Sequence, residues 1–225
     1  MYLGGNQVFP AASTIKLTIL IAFYQDLDAG KVSLNDTLVL RRDLLTGGSG
    51  AMQYEPIGSH YSAKEVLKRM ITISDNTATN LIIDHLGGID CLNARFRSWG
   101  LQHTVMHNLL ADLRGTNTTS AEDMVSLLAQ VVEENLLSSQ SQDQVLNLLR
   151  HTTIRSLLPA GLGPGANIAD KTGDIGFLIG DAGLIIMPTG KQYLAGIFVT
   201  CPYNDVRGRN FIQEVSRTTY TYLLD

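Results

Sequence analysis

The pattern of apolar and polar positions changes character along the chain. From Ala12 to Asp28 nearly every residue is apolar or small, and Ile15, Leu17, Ile19, Leu20, Ile21, Ala22 and Phe23 leave no polar face. Such a stretch predicts a helix buried all round rather than one with a single apolar stripe. Phe9-Pro10 sets its start near Ala12 or Ser13, and Gly30 closes it. Glycines break the pattern between 46 and 62, where a loop is expected. Ser62 and Glu65 form a capping box, and Val66, Leu67, Met70 and Ile71 share one face of the helix that follows. A turn at Ser74 leads into another helix, closed by Gly87-Gly88, and an amphipathic helix is predicted over 91–99. Residues 101–118 show no period and read as loop. Thr119 with Glu122 makes a second capping box, with a helix to about Asn135, and one more covers 139–150.

After "PAGLGPG" (159–165) the pattern turns to strands. Three are predicted, over 167–173, 180–188 and 192–200, with a hairpin turn at Pro188-Thr-Gly-Lys191. The tail from Gly208 reads as a closing helix. Helices followed by an antiparallel meander make an α+β chain, not the alternation of a parallel sheet. The expected organisation is a mostly helical unit over 13–153, beside a sheet unit made of 1–12 and 154–225.

Composition narrows the possibilities. At 225 residues and 44% hydrophobic content the chain can bury a sizeable core. The net charge is −4 and the basic residues are scattered, which argues against a nucleic-acid partner. No apolar run reaches the ~18 residues of a membrane span, and Met1-Tyr-Leu-Gly-Gly does not read as a secretory signal. Cys91 and Cys201 have neither CxxC nor metal spacing and read as two buried free thiols. No metal or organic cofactor is implied.

One residue contradicts the buried helix. Lys16 stands in its first turn, three residues after Ser13, so the two share a face. A serine hydroxyl is a weak nucleophile until a base takes its proton. A lysine serves as that base only when burial or a second cation lowers its pKa. The apolar helix supplies burial, and Lys171 on a strand supplies the cation. Two plainer readings stand beside this one: Ser13 as a helix cap, and Lys16 as a lysine snorkelling to the rim of the core. Neither accounts for two further motifs, Ser74-Asp-Asn76 and Lys171-Thr-Gly173. Ser74 can pass a proton to a leaving amine, and Asn76 can hold a substrate amide. Asp75 is read as bracing the turn. Lys171 and Thr172 offer a cation and a hydroxyl to a substrate carboxylate. The amide of Asp174, after Gly173, joins that of Ser13 as an oxyanion hole.

These three motifs, with Phe9-Pro10-Ala-Ala-Ser13, "ISDNTATNLI", Gly87-Gly88, Trp99-Gly100 and "LPAG…DKTG", resemble the serine penicillin-recognising enzymes, and among them the class A β-lactamase branch. The likeness runs through nearly the whole chain. It implies a β-lactamase/transpeptidase-like fold, an all-helical domain beside an antiparallel sheet flanked by helices. It also sets Tyr54 at the mouth of the cleft. Class A enzymes carry a glutamate in the loop after the SDN helix that activates the deacylating water. Matching Gly100, Thr104 and Leu113 places Leu110 at that glutamate and Arg114 at a neighbouring asparagine, with Asp112 the only acid in 101–118. The arginine that many members carry on the strand after KTG is also missing, and Arg155 is a candidate substitute. The family's N-terminal helix and one or two strands have no counterpart before Ser13. A shortened gene product is therefore expected, with strand 192–200 left as an exposed edge.

A leucine in that loop resembles the A-type penicillin-binding proteins of cyanobacteria. The resemblance implies a D-alanyl-D-alanine peptidase acting on peptidoglycan stem peptides and acylated by β-lactams. A class A-like β-lactamase with another base is the alternative, and a non-catalytic module binding β-lactams or muropeptides is the second. A periplasmic, monomeric protein is expected.

Overall fold

The computed structural model describes residues 2–133 and 135–224. In chain order the elements are β1 (Phe9–Pro10), α1 (Ile15–Asp28), β2 (Thr37–Val39), β3 (His60–Ser62), α2 (Ala63–Thr72), α3 (Asn76–His85) and α4 (Gly88–Ser98). They continue with β4 (Thr118–Thr119), α5 (Ala121–Val132), α6 (Ser139–Arg150), α7 (Leu158–Gly161), β5 (Asn167–Asp174), β6 (Leu178–Ile186), β7 (Gln192–Thr200) and α8 (Val206–Leu224).

α1 is the centre of the larger core. Its residues Ile15 to Tyr24 are all buried, as the missing polar face predicts, and each large apolar side chain there contributes about 1.5–3 kcal/mol by leaving water. α2, α3, α4 and α6 pack against it. β5, β6 and β7 form an antiparallel meander in that order, so β5 and β7 are its edges among the described residues. Side chains alternate across this sheet. Ala169, Leu178, Ala182 and Leu184 join the core around α1, while Ile168, Ile179 and Ile185 meet Leu158 and Ile212 of α8 in a second, smaller core.

Several expectations are corrected. The cap of α5 is Ser120, which accepts from the Asp123 amide, one residue later than the Thr119–Glu122 box. That helix stops at Val132. Cys91 is exposed and Cys201 half-buried, not two buried thiols. α4 begins at Gly88 and buries Leu92 and Phe96, four residues apart, which turns Cys91 outward. The short pairings β1–β4 and β2–β3 lay in stretches too brief to show a period. Ser62 caps α2 as expected, accepting from Glu65 N.

Candidate active site

Ser13 lies in a single 3-10 turn, Ala12–Thr14, between β1 and α1. The turn is fixed on both sides. The Ala11 amide donates to Asn117 O at 2.7 Å, and Thr14 Oγ1 donates to Ala11 O at 2.6 Å. Ala12 is held at φ +46°, a region that costs a residue with a Cβ about 1–2 kcal/mol. The Ser13 side chain makes no capping bond at this helix start. Its Oγ instead lies 2.9 Å from Lys16 Nζ.

Lys16 is fully buried and its Nζ meets three more oxygens: Ser74 O at 2.7 Å, Ser74 Oγ at 3.0 Å and Asn76 Oδ1 at 2.7 Å. Four oxygens exceed the three N–H bonds of an ammonium. Ser74 O and Asn76 Oδ1 can only accept. A neutral amine satisfies both and keeps its lone pair for a proton from Ser13. Burial first, and Lys171 second, push the Lys16 pKa well below the usual lysine range, against an opposing pull from Asp75. A snorkelling lysine would have its ammonium in water, so that reading fails here.

Ser74 is the meeting point of the site. It sits at φ +58°, and its Oγ accepts from Lys171 Nζ at 3.2 Å as well as lying beside Lys16. Lys171 reaches it from the edge strand β5 and also donates to Thr172 O at 3.0 Å. Burial draws the Lys171 pKa down to about 8, while Asp170 and Asp181 resist that fall. Asp75 braces the turn as expected. Its oxygens accept from Met52 N and Ala78 N, both at 2.9 Å, and it caps α3. Asn76 Nδ2 donates to Gly47 O at 3.1 Å. Gly173 packs closely on the Ser13 turn: a Cβ there would lie 3.0 Å from Ser13 N and 3.1 Å from Thr14 N, so the turn would have to give way to admit one. That contact brings the end of β5, with Thr172 and Asp174, alongside the nucleophile turn. Tyr54 is 83% exposed.

The loop after α4 is tied to the same turn. Leu110 is buried, and the Asn80 side chain clamps its backbone on both sides, Nδ2 donating to Leu110 O at 2.7 Å and Oδ1 accepting from Leu110 N at 2.9 Å. Ala111 N donates to Thr46 Oγ1 at 2.9 Å. A Cβ on Gly48 would meet both Asn76 Nδ2, at 2.8 Å, and Ala111 Cβ, at 3.7 Å, so the loop lies next to the SDN turn. Asp112 is occupied within its own loop, accepting from Asn117 N at 2.6 Å and Thr116 Oγ1 at 2.9 Å. Arg155 faces Asp170 at 3.6 Å, which argues against it as the missing carboxylate ligand.

Sequence reasoning thus brought Ser13, Lys16, Ser74, Asn76 and Lys171 to one cluster. It missed Asn80 and Thr46, which shape the loop, and the buried pair Asp170 and Asp181. Asn80 was visible as a polar residue one turn after Asn76, directly before the apolar run Leu81–Ile83. The aspartates were visible as acids inside apolar strands.

A buried lysine beside a serine at a helix start, a second serine and a second lysine closing the ring, and a glycine-tight edge strand define a serine penicillin-recognising protein of the class A kind. The chain belongs to the beta-lactamase enzyme family, which it matches over residues 1–223. Among solved structures it is similar to PBP-A, with 51% identity over 98% of this chain and 83% of that one and a TM-score of 0.97. A leucine-to-glutamate variant of PBP-A, solved as an acyl-enzyme with penicillin G, matches at 50% identity over 100% of this chain and 85% of that one, with a TM-score of 0.98. The extended-spectrum β-lactamase PER-1 of Pseudomonas aeruginosa is 27% identical over 241 residues, 96% of this chain and 76% of its own length. Across the curated relatives considered, the chain spans between 62% and 76% of their length. The fold is that of β-lactamases and transpeptidases. The chain is a serine hydrolase of the β-lactamase and penicillin-binding superfamily. Among the described residues no helix is long and apolar enough to cross a membrane.

Proposed function

We propose that the protein is a D-alanyl-D-alanine peptidase that acylates itself with peptidoglycan stem peptides and, more durably, with β-lactams. Lys16 takes the Ser13 proton, and Oγ attacks the substrate carbonyl. The developing oxyanion is received by the amides of Ser13 and Asp174, each such donor being worth ~10²–10³ in rate. Lys16 returns the proton through Ser74 Oγ to the leaving nitrogen, which departs as D-alanine. Lys171 and Thr172 hold the substrate carboxylate, Asn76 its amide, and Tyr54 borders the entrance.

One observation carries the choice of reaction: Leu110, which the family pattern sets where class A enzymes hold a water-activating carboxylate, is a buried apolar side chain. The nearest acid in that loop, Asp112, is bound to Thr116 and Asn117. An ester formed at Ser13 therefore lacks that carboxylate, and an incoming nucleophile must pass its proton to Lys16 and Ser74 instead. A departing D-alanine leaves room for an incoming nucleophile, whereas the nitrogen of an opened β-lactam stays tethered and blocks it. The likeness to PBP-A supports this reading. The β-lactamases among the relatives support the second one, hydrolysis of β-lactams with another base. Since stem peptides lie outside the cytoplasmic membrane, the reading implies an extracytoplasmic site of action. Native protein found only in cytosol would contradict that point.

The test is a pair of assays on one preparation. Release of D-alanine from a peptide ending in D-alanyl-D-alanine, with slow turnover of a chromogenic cephalosporin, is the expected result. Rapid cephalosporin turnover with no D-alanine release would favour the β-lactamase reading. Stoichiometric labelling without turnover of either compound would favour a binding module.

A further inference from the structure

Behind Lys171, on the face of the sheet turned away from Ser13, lie two acids that the reaction above does not use. Thr172 pairs with Asp181 and Asp170 with Gly183 in the β5–β6 register, so Asp170 and Asp181 are diagonal neighbours on one face. Gly183 makes the room: a Cβ there would lie 2.8 Å from Asp170 Cβ. Both carboxyls are fully buried. One oxygen of each is accounted for. Asp170 Oδ1 faces Thr152 Oγ1 at 3.3 Å and Arg155 Nη1 at 3.6 Å, and Asp181 Oδ2 accepts from Leu158 N at 3.0 Å. The remaining two, Asp170 Oδ2 and Asp181 Oδ1, are buried and meet no donor among the described residues. Each carboxyl acts on the other, and the two orphaned oxygens belong to diagonal neighbours on one sheet face.

Two carboxylates cannot bond to each other without a proton, and two like charges in a dry site strongly disfavour full ionisation. We infer that Asp170 and Asp181 share one proton between Oδ2 and Oδ1 at neutral pH, and that the resulting single negative charge holds Lys171 in its cationic form. Among the described residues, Arg155 lies against Asp170, and the charge of Lys171, on the opposite face, acts through the sheet on both acids and on Lys16. Arg155 is half-exposed, so its charge is partly screened by water. Burial pushes both carboxyls up from the ordinary range, as a retained proton requires. Burial also pulls Lys171 down, and the pair is what opposes that pull.

The pair is therefore a positioning device. It works through Lys171, whose cation depresses Lys16 and supports the substrate carboxylate. Its consequence for acylation rests on the proposed function, but the shared proton and the charge on Lys171 do not.

Two measurements on the intact protein test the inference. In infrared spectra at neutral pH the wild type is expected to show a protonated-carboxyl band that shifts in heavy water. That band should vanish in Asp181→Asn and in Asp170→Asn, because the new amide donates to the remaining carboxylate without a shared proton. A wild type without the band overturns the inference. The second measurement is the titration of the Lys171 Nζ by nitrogen NMR. Asp181→Asn keeps one negative charge, so the midpoint should stay within a few tenths of a unit of the wild type. The double variant Asp170→Asn/Asp181→Asn removes the charge, and the midpoint should fall by about one unit or more. An unchanged midpoint in a folded double variant overturns the role given to the pair. Should the double variant not fold, a midpoint in Asp181→Asn that falls as far as a lost charge requires overturns it instead. Acylation rates, read separately, decide the proposed function.

Discussion

Two regions border the Ser74–Asn76 turn, and they are built from opposite materials. On one side Lys16, Ser74, Asn76 and Lys171 are buried polar groups bonded to one another at 2.7–3.2 Å. On the other the loop offers Leu110, whose backbone is clamped by Asn80 while its side chain brings no polar atom. Burial of two lysines is unfavourable unless their protons are managed. On the proposed reading, the chain accepts that cost on the side that forms the ester and offers only shape on the side that would hydrolyse it. Forming and breaking the acyl bond would then fall to different segments of sequence.

The largest expected effect comes from breaking the polar side. Ser13→Ala should abolish covalent labelling by a fluorescent penicillin. The fold should survive, since the Ser13 side chain makes no cap bond. Lys16→Ala should slow acylation by about 10²–10⁴, the contribution of a positioned base. Labelling that persists in Ser13→Ala, or an unchanged rate in Lys16→Ala, would remove that residue from its role.

The next effect comes from adding polarity to the apolar side. Leu110→Glu should shorten the life of the penicilloyl adduct by up to ~10²–10⁴. Leu110→Glu with Arg114→Asn should shorten it further, because an arginine beside the new carboxylate lowers its basicity. Equal lifetimes in wild type and both variants, followed by intact mass, would mean that the loop does not govern deacylation.

Asn80→Ala sharpens the comparison by loosening the loop without touching its chemistry. It leaves the Leu110 amide and carbonyl without their partner, which costs about 1–3 kcal/mol in a chemical denaturation curve. An unchanged midpoint would show that the clamp is not needed for the loop to hold its place.

The smallest effect separates strain from chemistry at Ser74. Its φ of +58° is costly for any side chain with a Cβ and free for glycine. Ser74→Gly and Ser74→Ala both lose the hydroxyl and should acylate equally slowly. The glycine variant should be the more stable of the two by about 1 kcal/mol. The reverse order of stability would mean that the backbone there is not strained.

The buried helix α1 was legible because a helix with no polar face has only one place to go. The cluster around Lys16 was legible because Lys16 violates that pattern and the two later motifs explain the violation. Less was visible where contacts are made by backbone. Nothing in the apolar and polar pattern of 101–118 shows that Asn80 binds Leu110 or that Asn117 anchors Ala11, since both bonds join residues distant in sequence. Cap position erred by one residue at Ser120 because Thr119 and Ser120 satisfy the same rule, and only the side chain's direction decides between them. Cys91 was misjudged because its helix begins earlier than its apolar residues suggest.

On the proposed reading, this protein forms its acyl-enzyme with penicillin readily and loses it slowly. The direct measurement is the intact mass of wild-type protein mixed with penicillin and sampled over time. A single adduct of the antibiotic's mass, mapped to Ser13, is expected to form to completion and to outlast removal of free drug. An adduct already gone at the first sample, with the antibiotic consumed and the protein at its starting mass, would contradict it.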